Sequence, residues 1–442
     1  MTSTFIGELP AGWKSVPLKH LTSFLSRGTP PVYVDEAPIR AISQAANQEC
    51  GIVWERTRFH KCHGAPELLK GHLVPNDIII NSTGTGTLGR VGYFSGAPDG
   101  VPCIADSHLT IVRLIPESLV PRFGFYWLKS EPFQEFMLST MTAGSTNQIE
   151  LSRERLGDSP TPVPPLEEQR RIAAFLDAET SRIDALISTQ QRLEVKLLER
   201  REAGVAALIS GMDHHDRKPS QLPWLTDLPA DWQVVRLGLI ARMGSGHTPN
   251  RSREDWWENP TIPWITTGEV KQVRDDRREV ITETREKISE LGLGNSAAEL
   301  HPAGTVVLCR TASAGYSAVM GADMATSQDF VTWTCGPRLD PFYLLWCLRA
   351  MRQDLLGRLA MGSTHKTIYV PDLQMLRIPL PSLDEQRSIV ARIRSQNSKI
   401  DRLIDAVRRQ SELLAERRRA LITAAVTGEF DVSTASGRGI ED

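Results

Sequence analysis

The chain has 442 residues, enough for two or three domains, and its 40% hydrophobic and 24% charged content is that of an ordinary soluble globular protein. A net charge of −2 argues against a protein whose hold on an acidic partner rests on bulk positive charge. No apolar run approaches the ~18 residues of a membrane span, the start from Met1 to Trp13 lacks the signal-peptide pattern, and Cys50, Cys62, Cys103, Cys309, Cys335 and Cys347 include no Cys-x-x-Cys pair, so reduced thiols and a cytoplasmic setting are expected.

The chain opens on Leu9-Pro10-Ala11-Gly12-Trp13, and this phrase returns as Leu228-Pro229-Ala230-Asp231-Trp232, a displacement of 219 (232 − 13). Further on, Pro165-Leu166-Glu167-Glu168-Gln169-Arg170 returns as Ser382-Leu383-Asp384-Glu385-Gln386-Arg387, a displacement of 217 (386 − 169). So small a drift means that a whole domain with its connector is duplicated, at a period far too long for a solenoid.

In the first repeat, Asp77–Asn81 after Pro75 and Leu109–Arg113 are short β-branched runs that predict strands. Phe123–Ser139 predicts an aromatic helix packed in the core. After Pro160, Pro162, Pro164 and Pro165, a helix is predicted from Leu166 to Ser210, ending at Gly211. Its apolar ladder is Ile172, Leu176, Ile183, Leu186, Leu193 and Leu197, spaced as a coiled-coil seam. The segment His214 to Lys218, followed by Pro219 and Ser220, reads as an exposed linker.

The second repeat offers strands at Gly304–Leu308 after Pro302 and at Asp329–Trp333, an aromatic helix at Pro341–Ala360, and prolines at 371, 379 and 381. Its long helix carries the ladder Ile389, Ile393, Ile400, Leu403, Val407 and Leu414 and stops at Gly428. The reading is therefore α+β: tandem globular domains at 1–160 and 228–378, helical regions at 161–213 and 379–431, a linker at 214–227 and a tail at 432–442. The two helices are each other's best partner, and the repeat calls for antiparallel pairing with a pseudo-twofold. A 45-residue helix would be roughly 65 Å long.

Several catalytic patterns fail. Gly84-Thr-Gly-Thr-Leu-Gly89 fits Gly-x-Gly-x-x-Gly, but Arg90-Val-Gly-Tyr-Phe94 follows as a strand where a dinucleotide site needs a helix. Glu269-Val-Lys271 resembles the end of a metal-dependent nuclease motif but has no counterpart in the first half. Cys50, His60, Cys62 and His63 lack the paired spacings of structural zinc sites, so no metal is expected. There is no Gly-Lys of a P-loop, and neither Pro-Pro pair carries the Asn/Asp-Pro-Pro-Tyr of an amino-methyltransferase.

What remains is a set of duplicated polar loops. Ser82, Thr83, Gly84 and Thr85, with Arg90 beyond, match Arg310, Thr311, Ala312 and Ser313, with Tyr316 beyond; Asp106-Ser107-His108 matches Thr326-Ser327-Gln328. Ser145, Thr146, Asn147 and Gln148 match Ser363, Thr364, His365 and Lys366. Such side chains can contact phosphates or read base edges, although any one loop reads equally well as a solvated turn. The frame repeats while its contents differ, as expected of two readers of two different half-sites.

With these paired motifs, the chain resembles the specificity subunit of a type I restriction–modification system over nearly its whole length. The resemblance implies two target-recognition domains and a bipartite asymmetric site in double-stranded DNA. It implies two methyltransferase subunits that carry S-adenosylmethionine and modify adenine N6, and restriction subunits that carry ATP and Mg²⁺. This chain itself would bind no cofactor and catalyse nothing. The helix arginines Arg170, Arg171, Arg201, Arg387, Arg417, Arg418 and Arg419 would dock partners or approach phosphate, or form a solvated charged face. The other readings are a coiled-coil scaffold or inhibitor without a DNA role, and a nuclease built around Glu269 and Lys271.

Overall fold

The computed structural model describes residues 6–62, 64–84, 86–143, 149–361 and 366–432. Its contacts divide the chain into two compact units, residues 1–190 with 410–442, and residues 191–409. The division cuts both long helices. Each unit thus holds one globular domain, the first part of the helix that follows that domain, and the last part of the other helix.

In the first unit the run Asp77–Asn81 is a fully buried strand. It lies in an antiparallel sheet of order Thr22–Arg27, Leu109–Leu114, Asp77–Asn81, Val91–Phe94. Side chains alternate across a strand, so Ile78 and Ile80 pack with Phe123, Tyr126 and Trp127 while Ile79 packs with Leu109, Ile111 and Phe94 on the other face. Apolar cover on both sides explains why the run reads as continuous rather than alternating. A smaller sheet orders Cys103–Ala105, Arg40–Ile42, Arg58–His60 and Tyr33–Val34. The prolines at 160 and 162 do more than stop a helix: Pro160–Val163 pairs antiparallel with Lys14–Pro17 and ties the start of the domain to the foot of its helix. The single aromatic helix expected at Phe123–Ser139 is two, Pro121–Lys129 and Glu131–Thr140, because Pro132 sits in the first turn of the second and cannot continue the first.

The second unit repeats the plan. Its main sheet has the order Ala241–Ser245, Phe330–Cys335, Val306–Cys309, Ser317–Met320, Val280–Ile281, beside a small sheet of Glu286–Ile288, Ile262–Ile265 and Ala325–Thr326. Gln233–Arg236 pairs with Arg377–Leu380 as its counterpart does in the first unit. The expected helix at Pro341–Ala360 ends at Ala350 and continues as short turns through Leu359; Asp340 caps its start by accepting from the Phe342 and Tyr343 amides at 2.9 and 3.1 Å. The predicted linker is also structured. Arg217–Pro219 pairs with Asp227–Pro229, and the Arg217 guanidinium donates to the carbonyls of Gly211 (2.6 Å) and Ser210 (3.1 Å), closing the C-terminal end of the first long helix.

The long helices run Leu166–Ile209 and Leu383–Thr427. Each begins with a buried glutamine that locks it to its own domain. Gln169 accepts from the Val120 amide at 2.7 Å and donates to the Pro164 carbonyl at 2.8 Å. Gln386 accepts from the Asp340 amide at 2.8 Å and donates to the Arg338 and Pro381 carbonyls at 3.0 Å. Each helix end is closely packed too. Gly428 lies against Pro10 and Trp13, and Gly211 against Pro229 and Trp232, both at positive φ (+78° and +65°) where a side chain would strain the backbone and collide with the proline ring.

In both units the helix segments are antiparallel. Phe175 stacks on Phe430 while Asp184 pairs with Arg418 in the first; Glu194 pairs with Arg408 and Arg201 with Asp401 in the second. The seam differs in part from the apolar ladder. Ile172, Leu176, Ile183, Leu197, Ile389, Ile393, Ile400 and Val407 are buried and Leu414 is half-buried, but Leu186 (44% exposed), Leu193 (43%) and Leu403 (53%) face outward. Their neighbours take the inward positions: Ile187, Gln190 and Glu194 on one helix and Ile404 on the other. The polar Arg201 also lies inside, held by Asp401 at 3.0 Å and by donation to the Asp276 carbonyl at 2.9 Å, so it is not a surface arginine.

Candidate nucleic-acid interface

The loops singled out from the sequence converge at one end of each domain's main sheet. In the first domain, strand Asp77–Asn81 ends at Ser82 and Thr83, and the turn from Cys103–Ala105 to Leu109–Leu114 delivers Asp106, Ser107 and His108 beside them. Thr83 Oγ1 sits 2.8 Å from His108 Nδ1 and 3.4 Å from Gln44 Oε1. The Asp106 carboxylate accepts from the His108 amide at 2.8 Å, and burial raises its pKa. Arg27 pairs with Glu150 at 3.0 Å on the adjoining edge. Gly28 makes this closure possible, since a Cβ there would lie 2.1 Å from the Ala105 carbonyl oxygen.

The second domain has the same frame. Gly246 passes as close to Thr326 and Ser327, with a Cβ falling 2.3 Å from the Thr326 carbonyl oxygen. Backbone pairing sets the equivalences: the Asp106 amide bonds to Ile42 and the Ser327 amide to Ile265, while Leu109 bonds back to Asp106 and Phe330 back to Ser327. Asp106 therefore matches Ser327, Ser107 matches Gln328 and His108 matches Asp329, one residue out of step with the sequence match. Thr311 donates to Asp329 as Thr83 meets His108, and Ser327 Oγ donates to the other Asp329 oxygen at 3.1 Å. Gln328 stands exposed at the apex and accepts from Thr248.

The candidates fall into distinct groups. Thr83, Ser107, Arg310, Thr311 and Ser313 are partly exposed at these loop ends and His108 and Gln328 are exposed there, while Lys366 is exposed two residues before Ile368, whose amide bonds to the Arg310 carbonyl. Ser82 and Ser327 are buried: Ser82 is bonded to Thr110 at 2.5 Å and Ser327 to Asp329, so both brace the loops and neither faces a ligand. Arg90 turns inward, donating to the Asn47 carbonyl (3.2 Å) and Gln48 Oε1 (2.9 Å). The Tyr316 ring packs against the Arg352 guanidinium at 4.6 Å. Thr85, Ser145, Thr146, Asn147, Gln148, Ser363, Thr364 and His365 lie outside the described residues. Arg27, Gln44 and Thr248 join the site without having been marked, since nothing in their local sequence sets them apart.

The residues of the catalytic patterns set aside above have structural partners. Glu269 is 1% exposed, accepts from the Arg285 amide at 2.9 Å and holds Gln272, a structural carboxylate on a short turn. His60 is buried and its Nδ1 accepts from the Val32 amide at 2.9 Å. Among the described residues no group of three or more His, Cys, Asp or Glu is placed to hold a metal, and no helix is long and apolar enough to cross a membrane. Burial pushes the Cys103, Cys309 and Cys335 thiols up to about 12, which leaves them without nucleophilic thiolate near neutral pH.

The family described as the type I restriction modification DNA specificity domain matches residues 52–197 and 229–408, one stretch in each repeat. A putative type I restriction enzyme specificity subunit, MjaX, from Methanocaldococcus jannaschii is 22% identical over 452 residues, covering 98% of this chain and 96% of its own. Among solved structures, a chain from work on complex assembly and conformational transition of the type I R-M system superposes with a TM-score of 0.72 at 21% identity, covering 96% of this chain and all of its own. The HsdS subunit of Thermoanaerobacter tengcongensis gives 0.55 at 20% identity, over 96% and 98% of the two chains. These likenesses in structure establish the shared fold.

Proposed function

Since this chain belongs to the type I restriction modification DNA specificity family, we propose that its two domains each read one part of a bipartite sequence in double-stranded DNA, on behalf of separate catalytic subunits. The observation that carries this reading is the doubled frame: the same strand, turn and glycine approach in both domains, with Thr83 and His108 in one and Arg310, Thr311, Gln328 and Asp329 in the other. A repeated scaffold with divergent contact residues suits an asymmetric target, because base edges are told apart by the donors and acceptors presented to them.

The partners are two methyltransferase subunits, which bring S-adenosylmethionine to adenine N6, and restriction subunits, which bring ATP and Mg²⁺. This chain contributes recognition alone. The near-zero net charge fits that division, because phosphate contacts are then shared with the partners.

The test is long-read mapping of N6-methyladenine in a methylation-free host that expresses the neighbouring methyltransferase with and without this chain. A two-part asymmetric motif that appears only with the chain is the expected result. No new motif from a purified, assembled complex would overturn the proposal and favour the scaffold reading.

A further inference from the structure

The matched positions Ser82 and Arg310 do opposite things. Both follow the central strand of their domain by one residue, yet Ser82 is buried against Thr110 whereas Arg310 is partly exposed. Arg310 is held at both ends of its length. Its amide donates to the Asp329 carbonyl at 2.8 Å, its carbonyl accepts from the Ile368 amide at 2.8 Å, and its Nε donates to the Gln328 carbonyl at 3.0 Å. The neighbouring Asp329 carboxylate is taken by the hydroxyls of Thr311 and Ser327. Among the described residues the two terminal nitrogens of Arg310 have no hydrogen-bond acceptor.

A guanidinium fixed through Nε keeps its two terminal nitrogens free, and one N–H of each points outward side by side as an end-on fork. That edge matches the two acceptors, O6 and N7, that guanine alone offers in the major groove. A phosphate also accepts such a fork, but a phosphate contact does not require that the side chain be preset at a loop apex beside an exposed amide such as Gln328. From this geometry we infer that Arg310 is a specificity-determining residue that selects a guanine in the half-site bound by the second domain. The first domain has no equivalent, since its matched residue is the buried Ser82.

This inference rests on the DNA-reading proposal, and the test separates the two. The full-length chain with its methyltransferase subunits is first shown to give a two-part motif; without one, both ideas fall. Duplexes carrying 7-deazaguanine at each guanine of the motif in turn are then bound by the unaltered complex, which avoids any folding defect. One substitution, in one half-site only, should weaken binding on the order of tenfold or more, since each bidentate contact discriminates by roughly that factor. Methylation mapping with Arg310→Ala and Arg310→Lys should relax the same base and leave the other half-site unchanged, because lysine keeps the charge but lacks the fork. The inference is overturned if no deazaguanine matters in the half-site that either variant affects. It is equally overturned if Arg310→Ala weakens all sequences alike, lowers the salt slope by about one and is rescued by lysine, the signature of a phosphate contact.

Discussion

Replacing Arg201 by alanine should destabilise the second unit far more than replacing Arg418 destabilises the first. The two residues are copies of each other, as are their partners: 418 − 201 and 401 − 184 are both 217. Both pairs close at 3.0 Å. Burial separates them, because the side chains of Arg201 and Asp401 are 8% and 18% exposed and those of Arg418 and Asp184 are 21% and 53% exposed. Removing one member of a buried pair costs about 3–5 kcal/mol, because the other charge is left without compensation. Arg277 remains 3.7 Å from Asp401, which argues for the lower end, about 3 kcal/mol. The half-exposed pair in the first unit should cost about 1 kcal/mol or less. At roughly 3 °C per kcal/mol for units of this size, Arg201→Ala should lower the melting of its unit by about 9 °C and Arg418→Ala by about 3 °C at most. Hydrogen exchange at the buried strands Asp77–Asn81 and Val306–Cys309 reports each unit separately. Equal losses in the two variants would refute the argument from burial. The double replacement Arg201→Met with Asp401→Leu should recover most of the loss.

Three other outcomes follow from particular contacts. Burial lowers the Lys129 pKa to about 8, so the unfolded chain holds this proton between pH 8 and about 10.4 while the folded chain does not, and folding stability rises with pH across that window. Lys129→Met should therefore gain on the wild type by about 2 kcal/mol at pH 7.5 in denaturant unfolding, a gap that closes by pH 10.5; a constant gap refutes it. Gly246→Ala would force a Cβ to within 2.3 Å of the Thr326 carbonyl oxygen and should displace the Gln328 turn, costing about 2 kcal/mol and blurring one half-site; an unchanged methylation motif would count against it. If the helices set the distance between half-sites, four residues added after Gln190 and after Arg409 should lengthen the motif's spacer by one or two base pairs, at about 1.5 Å per residue against ~3.4 Å per base pair; mapping the methylated motif decides it.

The duplication, the buried strands and the long helices were legible because each is written in local pattern: a β-branched run, a proline stop, a leucine ladder, a terminal glycine. The seam was half legible. A ladder identifies leucines seven apart but cannot tell Leu186 from Ile187 as the inward residue, since that choice depends on which side chains of the antiparallel helix face it. The hairpin at Arg217–Pro219 was hidden for a similar reason: its polar residues look solvated until the guanidinium meets the helix carbonyls. At the loop ends the exposure of each residue was not legible, because serine is equally at home bracing a turn, as Ser82 and Ser327 do, or facing a ligand. The one-residue offset between Asp106 and Ser327 needed backbone pairing to be seen.

The way the two units share the chain has a genetic consequence. Residues 191–409 supply one unit whole, and everything the other needs comes from before and after that segment. Gly211 and the Trp232 it packs on are joined by a short hairpin, whereas Gly428 and Trp13 make the same contact with the length of the chain between them. Two crossovers, one inside each helix, would exchange a complete reader without opening the core of the one left behind. On the proposed reading, exchanging residues 191–409 would change one half of the target and leave the reader of the other half intact.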